Sequence, residues 1–263
     1  METLKNIRGI FLDLGGTLLY PPSGSFSFSD FAKPYFPGDK LRALPPEQVR
    51  AAGNRARQAL ENQALVLTME EEYGIFLRYY TMLSQALSLD LSDDVLRAIT
   101  DDKVYNKVDN MRLFDDTMET LQALSGKYKL GIISDTWPSI MPELEYLGIL
   151  PYFHCATFSY QLGTLKPDPK MYQDALAKMG LPPEQTLFVD DNLKNLEGAA
   201  ALGIVPVQIC AGEWSPSLDK VFGIDRLQAT GQPEPEPAPL SIGAIRKISR
   251  ISQLLNILEE EKP

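Results

Sequence analysis

The sequence predicts an α/β protein in which a parallel sheet is flanked by helices, and three observations lead to this prediction. From residue 110 onward, short apolar strands alternate with amphipathic helices. These strands are continuous apolar runs, which is typical of parallel strands that are buried on both faces. Acidic or hydroxyl residues stand at the ends of several strands, and functional groups gather at the carboxyl ends of such strands.

The individual elements follow from the positions of apolar runs, helix caps and glycine stops. The first strand is predicted just before Asp13, and Pro169 stands where a helix begins, a position that proline favours. Glycines close four of the predicted helices. From residue 115 on, the predicted order is a helix over 115–126, a strand over 130–134, a helix over 139–147, a strand over 155–159, a helix over 168–179, a strand over 186–189, a helix over 193–202 and a strand over 205–209.

Residues 20–108 interrupt this alternation and predict a second domain. Residues 21–46 are rich in Pro, Gly, Ser and Phe and are predicted as a loop. Helices are predicted over 46–62, 70–87 and 92–101, and no strand is predicted there. We therefore expect a core formed by 1–19 and 109–263 and a helical cap domain formed by 20–108. Near the other end, 228–239 is predicted to be an extended loop and 245–260 a short strand or loop followed by a helix.

Composition and charge restrict the class of protein. The 263 residues are 44% hydrophobic and 23% charged, which is ordinary for a globular protein. The net charge of −10 and the lack of a basic run argue against nucleic acid or an anionic membrane as a partner. No apolar stretch reaches membrane-spanning length, and the first residues do not resemble a signal peptide. We expect a cytoplasmic protein, a monomer or homodimer, whose Cys155 and Cys210 are buried free thiols.

The first segment that can carry chemistry is Asp13-Leu14-Gly15-Gly16-Thr17. An aspartate at the end of a buried strand can attack phosphorus directly and form an acyl phosphate. The glycines after it allow backbone N–H groups to approach a phosphate closely. The alternative is that Asp13 only begins a turn, and the segment by itself does not decide between the two.

Two further segments offer groups that bind a phosphoryl group. Ser134 and Asp135 follow an apolar strand, where the serine hydroxyl and the local backbone amides can meet a phosphate oxygen. Lys166 lies just before a predicted helix, where it can neutralise both a nucleophilic carboxylate and the phosphoryl charge. The alternative for Lys166 is a solvated loop lysine, although the neighbouring prolines stiffen its segment.

The pair Asp190-Asp191 at the end of an apolar strand indicates a metal site. Two adjacent carboxylates at a buried strand end repel each other unless a cation lies near them. Mg²⁺ prefers oxygen ligands and is commonly held by one or two carboxylates. Capping of the following helix by Asp191 or Asn192 is the alternative, and it is compatible with a metal site.

Taken together and in this order, four segments of the chain resemble the haloacid dehalogenase superfamily, whose commonest members are Mg²⁺-dependent phosphatases. The segments are DLGGTL, GIISDT, LKPDPKMY and FVDDNLKNLEGAAALGI. The resemblance implies a Rossmann-like core with a helical cap, Asp13 as the nucleophile and catalytic roles for Ser134 and Lys166. It implies a Mg²⁺ site formed by Asp13, the backbone carbonyl of Gly15, Asp190 and Asp191. It implies a phosphate-binding set of Gly15, Gly16, Ser134, Asp135, Lys166 and Asn195, with Asn195 orienting Lys166 and Thr17 tying the turn.

The chain departs from this family at Gly15, where the phosphatases have a second aspartate. The side chain of that aspartate protonates the leaving group and then activates water, and glycine does neither. General acid–base help is worth roughly 10²–10⁴-fold, so slow hydrolysis survives its loss, least impaired for good leaving groups. A cap residue such as Asp30, Asp39 or Lys40 is one possible replacement.

Other members of the family that lack this aspartate offer alternatives. The dehalogenases carry an aromatic residue there and need no metal, which the Asp190-Asp191 pair argues against. The phosphonate hydrolases use a cap lysine, for which Lys33 and Lys40 are candidates, although solvated surface lysines are the simpler interpretation. His154 is interpreted as structural.

The leading functional hypothesis is a Mg²⁺-dependent phosphomonoesterase that acts on a small phosphorylated metabolite through an aspartyl-phosphate intermediate. A weakly active or inactive phospho-ligand-binding or regulatory protein is the alternative from a different class.

Overall fold

The computed structural model describes residues 3–61, 65–106, 110–210 and 245–258. The chain divides into two compact units. Among the described residues, the first unit holds 3–20, 112–210 and 245–258, and the second holds 21–61, 65–106 and 110–111. The extended loop predicted over 228–239 lies outside the described residues.

The first unit is built on a six-stranded sheet in which every pairing is parallel. Its strands are β1 (Gly9–Leu12), β4 (Lys129–Ser134), β5 (Cys155–Phe158), β6 (Thr186–Asp190), β7 (Val205–Ile209) and β8 (Arg246–Ile248). Their order is β5-β4-β1-β6-β7-β8. The predicted parallel α/β sheet is thereby confirmed, and β1, the first strand of the sequence, lies in its interior between β4 and β6.

The helices of the first unit follow the sequence prediction to within a few residues. They are α5 (Thr117–Ser125), α6 (Ile140–Tyr146), α7 (Ser159–Leu162), α8 (Pro169–Met179), α9 (Leu193–Ala200) and α10 (Leu254–Ile257). Asp168 caps α8 by accepting a hydrogen bond from the Lys170 amide, and Asn192 caps α9 in the same way through Lys194. The short α7 was not predicted as a separate helix.

The centre of the sheet is apolar and tightly packed. Phe11, Ile133, Phe188 and Met179 are fully buried in one cluster between the sheet and its helices. A Cβ at Gly131 would lie 2.8 Å from the ring of Phe11, so this glycine is required by close packing. Such packing fixes β1 against β4 and thereby fixes the level at which their ends meet.

A two-stranded antiparallel ribbon, absent from the prediction, stands where the chain leaves and re-enters the first unit. It pairs β2 (Leu19–Tyr20) with β3 (Arg112–Leu113). Strands of two residues carry too little periodicity to be recognised in a sequence. The Tyr20 and Phe114 rings pack beside the ribbon with centroids 4.9 Å apart.

The second unit is helical, as predicted, in its described part. It holds α1 (Gly38–Ala43), α2 (Pro46–Glu61), α3 (Met69–Ala86) and α4 (Asp93–Val104). The prediction of a loop throughout 21–46 was wrong over α1 and a 3₁₀ turn at Lys33–Tyr35. Phe28, Phe36 and Tyr80 form a buried aromatic cluster that holds this irregular segment against α3, so tertiary packing rather than helix propensity orders it.

Two smaller expectations are corrected by the structure. Cys155 is half-buried rather than buried, and Cys210, which lies just beyond the end of β7, is exposed. Both cysteines are free thiols, as predicted. In the described part of the chain, no helix combines the length and the hydropathy that crossing a bilayer requires.

Candidate active site

The candidate site lies where three neighbouring strands of the sheet end. Asp13 directly follows β1, Ser134 is the last residue of β4 and Asp190 is the last residue of β6. The backbone amide of Asp13 donates to the Val189 carbonyl at 3.0 Å, which continues the β1–β6 pairing to the site. Three side chains far apart in sequence are therefore brought together by the order of the strands.

Lys166 occupies the centre of this group. Its ammonium nitrogen Nζ lies 2.8 Å from Asp13 Oδ1, 2.7 Å from Asp190 Oδ2 and 3.3 Å from the Ile133 carbonyl. Its side chain is only 2% exposed. The adjacent carboxylates hold the pKa of Lys166 well above its usual value despite burial, because the charged form is the one that they stabilise. The ammonium is a permanent positive charge that touches the predicted nucleophile.

Asp190 is fully buried and held by four donated hydrogen bonds. Its Oδ1 accepts from the Asn192 amide at 2.7 Å, and its Oδ2 accepts from Lys166. The Asn195 side-chain amide donates to both oxygens, at 3.2 and 3.0 Å. Any hold that Asn195 has on Lys166 therefore passes through Asp190, and the predicted role of Asn195 in orienting the lysine is indirect.

Asp191 differs from its neighbour because its side chain is exposed. Desolvation and the charges of Asp13 and Asp190 raise the pKa of Asp191 to about 7. Carboxylate oxygens of Asp13, Asp190 and Asp191 lie within 4.8 Å of one another. Three acidic groups this close repel each other, and a divalent cation relieves that repulsion. The donor set is all oxygen, which fits Mg²⁺, and Asp191 and Asp13 have more free oxygen lone pairs than Asp190.

The environment of Asp13 combines burial with compensating charge. Burial raises the pKa of Asp13, and Lys166 together with a hydrogen bond to Ser134 opposes that rise. The side chain is 10% exposed, so one face of the carboxylate remains open. A carboxylate with one oxygen on an ammonium and an accessible face can act as a nucleophile.

The turn after Asp13 is tightly hydrogen-bonded. The Leu14 carbonyl accepts from the amides of Thr17, Leu18 and Leu19 at 3.2, 2.8 and 3.0 Å. Gly16 adopts a φ of +79°, which explains the glycine, and its amide donates to the Leu19 carbonyl at 2.9 Å. That amide is thus already engaged within the turn, contrary to the expectation that it serves a phosphate.

Gly15 and Thr17 occupy the same turn in different ways. Gly15 has no positive φ, so a left-handed backbone conformation does not explain this glycine. The Thr17 backbone closes the turn, whereas its buried hydroxyl has no hydrogen-bond partner among the described residues.

Asp135 lies beside Lys166 and is exposed. Its Oδ1 accepts a hydrogen bond from the Lys166 backbone amide at 3.0 Å. Partial desolvation raises the pKa of Asp135 to about 6 against the opposing effects of the Lys166 charge and amide. The predicted phosphate-binding residue therefore fixes the loop that carries the lysine.

The remaining predicted residues lie in other places. Asp30 and Lys33 form an ion pair at 2.8 Å within the second unit, and Asp39 and Lys40 lie in α1 of that unit. The His154 amide donates to the Leu130 carbonyl at 2.7 Å, next to the start of β5. That backbone contact is in keeping with the structural interpretation of His154.

Two residues around the site were missed by sequence reasoning. The buried Tyr172 hydroxyl donates to the Asn195 carbonyl at 2.7 Å and ties α8 to α9. A Cβ at Gly198 would lie 2.7 Å from Pro167 Cβ and 3.0 Å from the Pro167 carbonyl oxygen. The only sequence signal was the position of Tyr172 on the apolar face of α8, which indicates burial but no partner.

Comparison with known proteins identifies the class to which this fold and site belong. The haloacid dehalogenase-like hydrolase family matches residues 7–203, which is most of the chain. The chain belongs to this family and is a hydrolase, which confirms the resemblance seen in four segments of the sequence.

Individual relatives and structures agree with the family. The phosphoglycolate phosphatase of Salmonella choleraesuis (strain SC-B67) is 27% identical over 244 residues, which cover 90% of each chain. The glyceraldehyde 3-phosphate phosphatase of Methanopyrus kandleri is 29% identical over 148 residues, 55% of this chain and 64% of that protein. A 2-haloacid dehalogenase from Pseudomonas syringae pv. Tomato DC3000 shares the fold with a TM-score of 0.59 at 18% identity, covering 95% of this chain and 97% of that one.

Proposed function

We propose that this chain is a Mg²⁺-dependent phosphatase that hydrolyses a small phosphorylated metabolite through an aspartyl-phosphate intermediate. The observation that carries the proposal is the contact of one buried ammonium, Lys166, with both Asp13 and Asp190, beside the exposed Asp191. This arrangement combines a nucleophile, a fixed positive charge and a place for a cation at one sheet edge.

In the first step, an Asp13 oxygen attacks phosphorus and the bond from phosphorus to the leaving oxygen breaks. Lys166 stabilises the negative charge that gathers on the phosphoryl oxygens, and the Ser134 hydroxyl turns from Asp13 to donate to one of them. In the second step, water attacks the aspartyl phosphate and the Asp13 carboxylate is regenerated. Lys166 keeps Asp13 charged and aligned throughout, since its Nζ already touches Oδ1 at 2.8 Å.

Mg²⁺ would be held by Asp13, Asp191 and the backbone carbonyl of Gly15. Asp190 already accepts four hydrogen bonds, so its main role is to position Lys166 and Asn195. When bound, the ion would supply positive charge to the phosphoryl oxygens and offset the repulsion among the carboxylates. The Gly15 carbonyl needs no side chain for this contact.

The substrate class is inferred from the relatives. The relatives named above are phosphatases of phosphoglycolate and of glyceraldehyde 3-phosphate, both small phosphate monoesters. We propose a substrate of this size, with the helical second unit acting as the cap that selects it, in a cytoplasmic monomer or homodimer. The −10 net charge disfavours a polyanionic substrate.

Turnover assays with p-nitrophenyl phosphate and with 2-phosphoglycolate, with and without Mg²⁺, test this function. We expect hydrolysis that requires Mg²⁺ and that is lost in Asp13→Asn, because the amide is not a nucleophile. Hydrolysis by Asp13→Asn equal to that of the unaltered protein would refute the proposal, as would turnover of both esters unaffected by a chelator. Chloride release from 2-chloropropionate in the absence of metal would instead indicate a dehalogenase.

A further inference from the structure

The absence of a side chain at Gly15 raises the question of which group transfers the proton. Three other carboxylates lie close enough to Asp13 for their charges to affect it, namely Asp135, Asp190 and Asp191. Asp190 is buried and fully hydrogen-bonded, and Asp191 is the exposed member of the metal cluster. Asp135 is the one of these three that is neither fully hydrogen-bonded nor a member of the metal cluster.

The geometry of Asp135 suits proton transfer. Its Oδ1 is anchored by the Lys166 amide at 3.0 Å, while the side chain as a whole remains exposed. A carboxyl group held by one oxygen and open at the other has a fixed position and a free site for a proton. Because Asp135 is bonded to the backbone of Lys166, its carboxyl group is held close to the residue whose ammonium contacts Asp13.

The pairing of β1 with β4 brings Asp135 to the same end of the sheet as Asp13. Leu12 lies opposite Ile132 in this pairing, and Ser134, which directly precedes Asp135, is the last residue of β4. Lys166 Nζ contacts both Asp13 and the Ile133 carbonyl, the two residues that follow the Leu12–Ile132 pair. Asp135 therefore follows the strand that neighbours β1, the strand that Asp13 directly follows.

We propose that Asp135 is the general acid and base that takes over the function missing at Gly15. The inference rests on the proposed phosphatase function and deepens it. As the phosphorus–oxygen bond breaks, the electron pair goes to the leaving oxygen, which takes the Asp135 proton. The Asp135 carboxylate then accepts a proton from the water that attacks the aspartyl phosphate, which restores the acid and frees inorganic phosphate.

The ionisation of Asp135 supports this role. Its pKa of about 6 leaves both protonation states populated near neutral pH, which is what an acid that becomes a base requires. The charged groups that face it are Lys166, Asp13 and Asp190, and the Tyr172 hydroxyl lies close enough to interact. The lysine opposes the shift, and the two carboxylates add to it.

A substrate comparison in two backgrounds tests the inference. Values of kcat/KM, which report phosphoryl transfer to Asp13 and not the later hydrolysis common to both esters, are measured for 2-phosphoglycolate, whose alkoxide needs a proton, and for p-nitrophenyl phosphate, whose phenolate does not. The proteins compared are the unaltered protein, Asp135→Asn, Gly15→Asp and the double variant. We expect Asp135→Asn to lose about 10²-fold or more on phosphoglycolate and less than about tenfold on p-nitrophenyl phosphate. With Gly15→Asp present, the same substitution should cost less than about tenfold on both esters.

The pH profile and controls separate proton transfer from positioning. The acid form of Asp135 is needed to protonate the alkoxide that leaves 2-phosphoglycolate. The kcat/KM for 2-phosphoglycolate, divided by that for p-nitrophenyl phosphate, should therefore fall from about pH 6 to about pH 8. In Asp135→Asn this ratio should not change with pH. Asp135→Glu should restore part of the ratio. Asp174→Asn removes another carboxylate of the first unit, which pairs with Lys178, and should leave the ratio unchanged.

Three outcomes would overturn the inference. Equal decreases of kcat/KM on both esters in Asp135→Asn would show that Asp135 only positions Lys166. Equal decreases on 2-phosphoglycolate with Gly15 and with Gly15→Asp would lead to the same conclusion. In either case Mg²⁺-dependent hydrolysis would leave the phosphatase function standing. Lack of turnover of both esters by the unaltered protein and by Gly15→Asp would overturn the function and the inference together. Thermal unfolding of each variant shows whether a loss reflects misfolding.

Discussion

At the residue scale, the site depends on one cation among several carboxylates. Lys166 is the only ammonium in direct contact with Asp13 and Asp190 among the described residues. Asp135 and Asp191 add two more acidic groups whose charges interact with it. Its burial at 2% side-chain exposure makes its loss costly, because a buried carboxylate without a partner is strongly unfavourable.

The substitution Lys166→Met should therefore abolish activity and destabilise the fold by about 3–5 kcal/mol near pH 8. Without the lysine, the folded-state pKa of Asp13 rises further above its unfolded value. Between the unfolded and the folded pKa of Asp13, the folded state holds a proton that the unfolded state has lost. The stability of the variant therefore falls as the pH rises through the folded pKa. Chemical denaturation at several pH values measures this, with a smaller deficit expected at acidic pH.

The control for this substitution is Lys170→Met, on the exposed surface of α8. Its effect on the free energy of unfolding should stay within about 0.5 kcal/mol, as is usual for surface positions. A deficit in Lys166→Met that grows toward acidic pH would contradict the assignment of Lys166 as the partner of Asp13.

At the element scale, the position of Lys166 is set by the packing of α8 against α9. Tyr172 on α8 donates to the Asn195 carbonyl on α9, and Asn195 in turn holds Asp190. Gly198 on α9 lets Pro167, the residue after Lys166, approach so closely that a Cβ would collide with it. Two helices distant from the nucleophile in sequence therefore determine where the ammonium stands.

The substitution Gly198→Ala should displace Pro167 and with it Lys166. We expect a loss of about 1–3 kcal/mol in stability from overpacking. We also expect a decrease in kcat of up to about 10²-fold, because small misplacements of catalytic groups are expensive. Thermal unfolding and steady-state kinetics measure the two effects.

Gly126→Ala is the matched control, since an added Cβ there meets nothing within 4 Å and the φ of −76° suits alanine. It should leave kcat and stability nearly unchanged. If Gly198→Ala behaved like Gly126→Ala, α9 would not position the lysine.

At the scale of the whole molecule, the acidic cluster couples stability to pH and to Mg²⁺. The pKa of Asp191 is raised to about 7, so the folded protein binds a proton there that the unfolded chain has already lost. This contribution is fully present at low pH and is lost as the pH rises through about 7. A cation bound at Asp13 and Asp191 would offset that loss.

Mg²⁺ should accordingly raise the melting temperature more at pH 8 than at pH 6, because binding must displace the Asp191 proton at the lower pH. At a concentration about 100 times its Kd the ion would add about 2.7 kcal/mol. Differential scanning fluorimetry over a Mg²⁺ and pH grid measures this without any substrate. In Asp191→Asn, stability without metal should be less pH-dependent and the Mg²⁺ effect should be small; an undiminished effect would place the ion elsewhere.

The order of strands and helices was predictable because each element carries its own local signal. The strand over 205–209 was predicted with the observed bounds, and α8 began at Pro169 as expected because proline and an Asp168 cap specify a helix start. The short α1 and the β2–β3 ribbon were missed, because elements of six and two residues carry too little periodicity to be recognised in a sequence.

The sequence by itself determined which residues meet at the site, because a parallel sheet sends the ends of its strands to one edge whatever their separation along the chain. It therefore specified Asp13, Ser134 and Asp190 and exposed the gap at Gly15. Only the tertiary structure decided how their roles divide: Asp190 is saturated by donors, Asp191 is open, and Asp135 is anchored on the lysine's backbone. Those differences arise from burial and hydrogen-bond partners, which are properties of the packed molecule and not of the order of its residues.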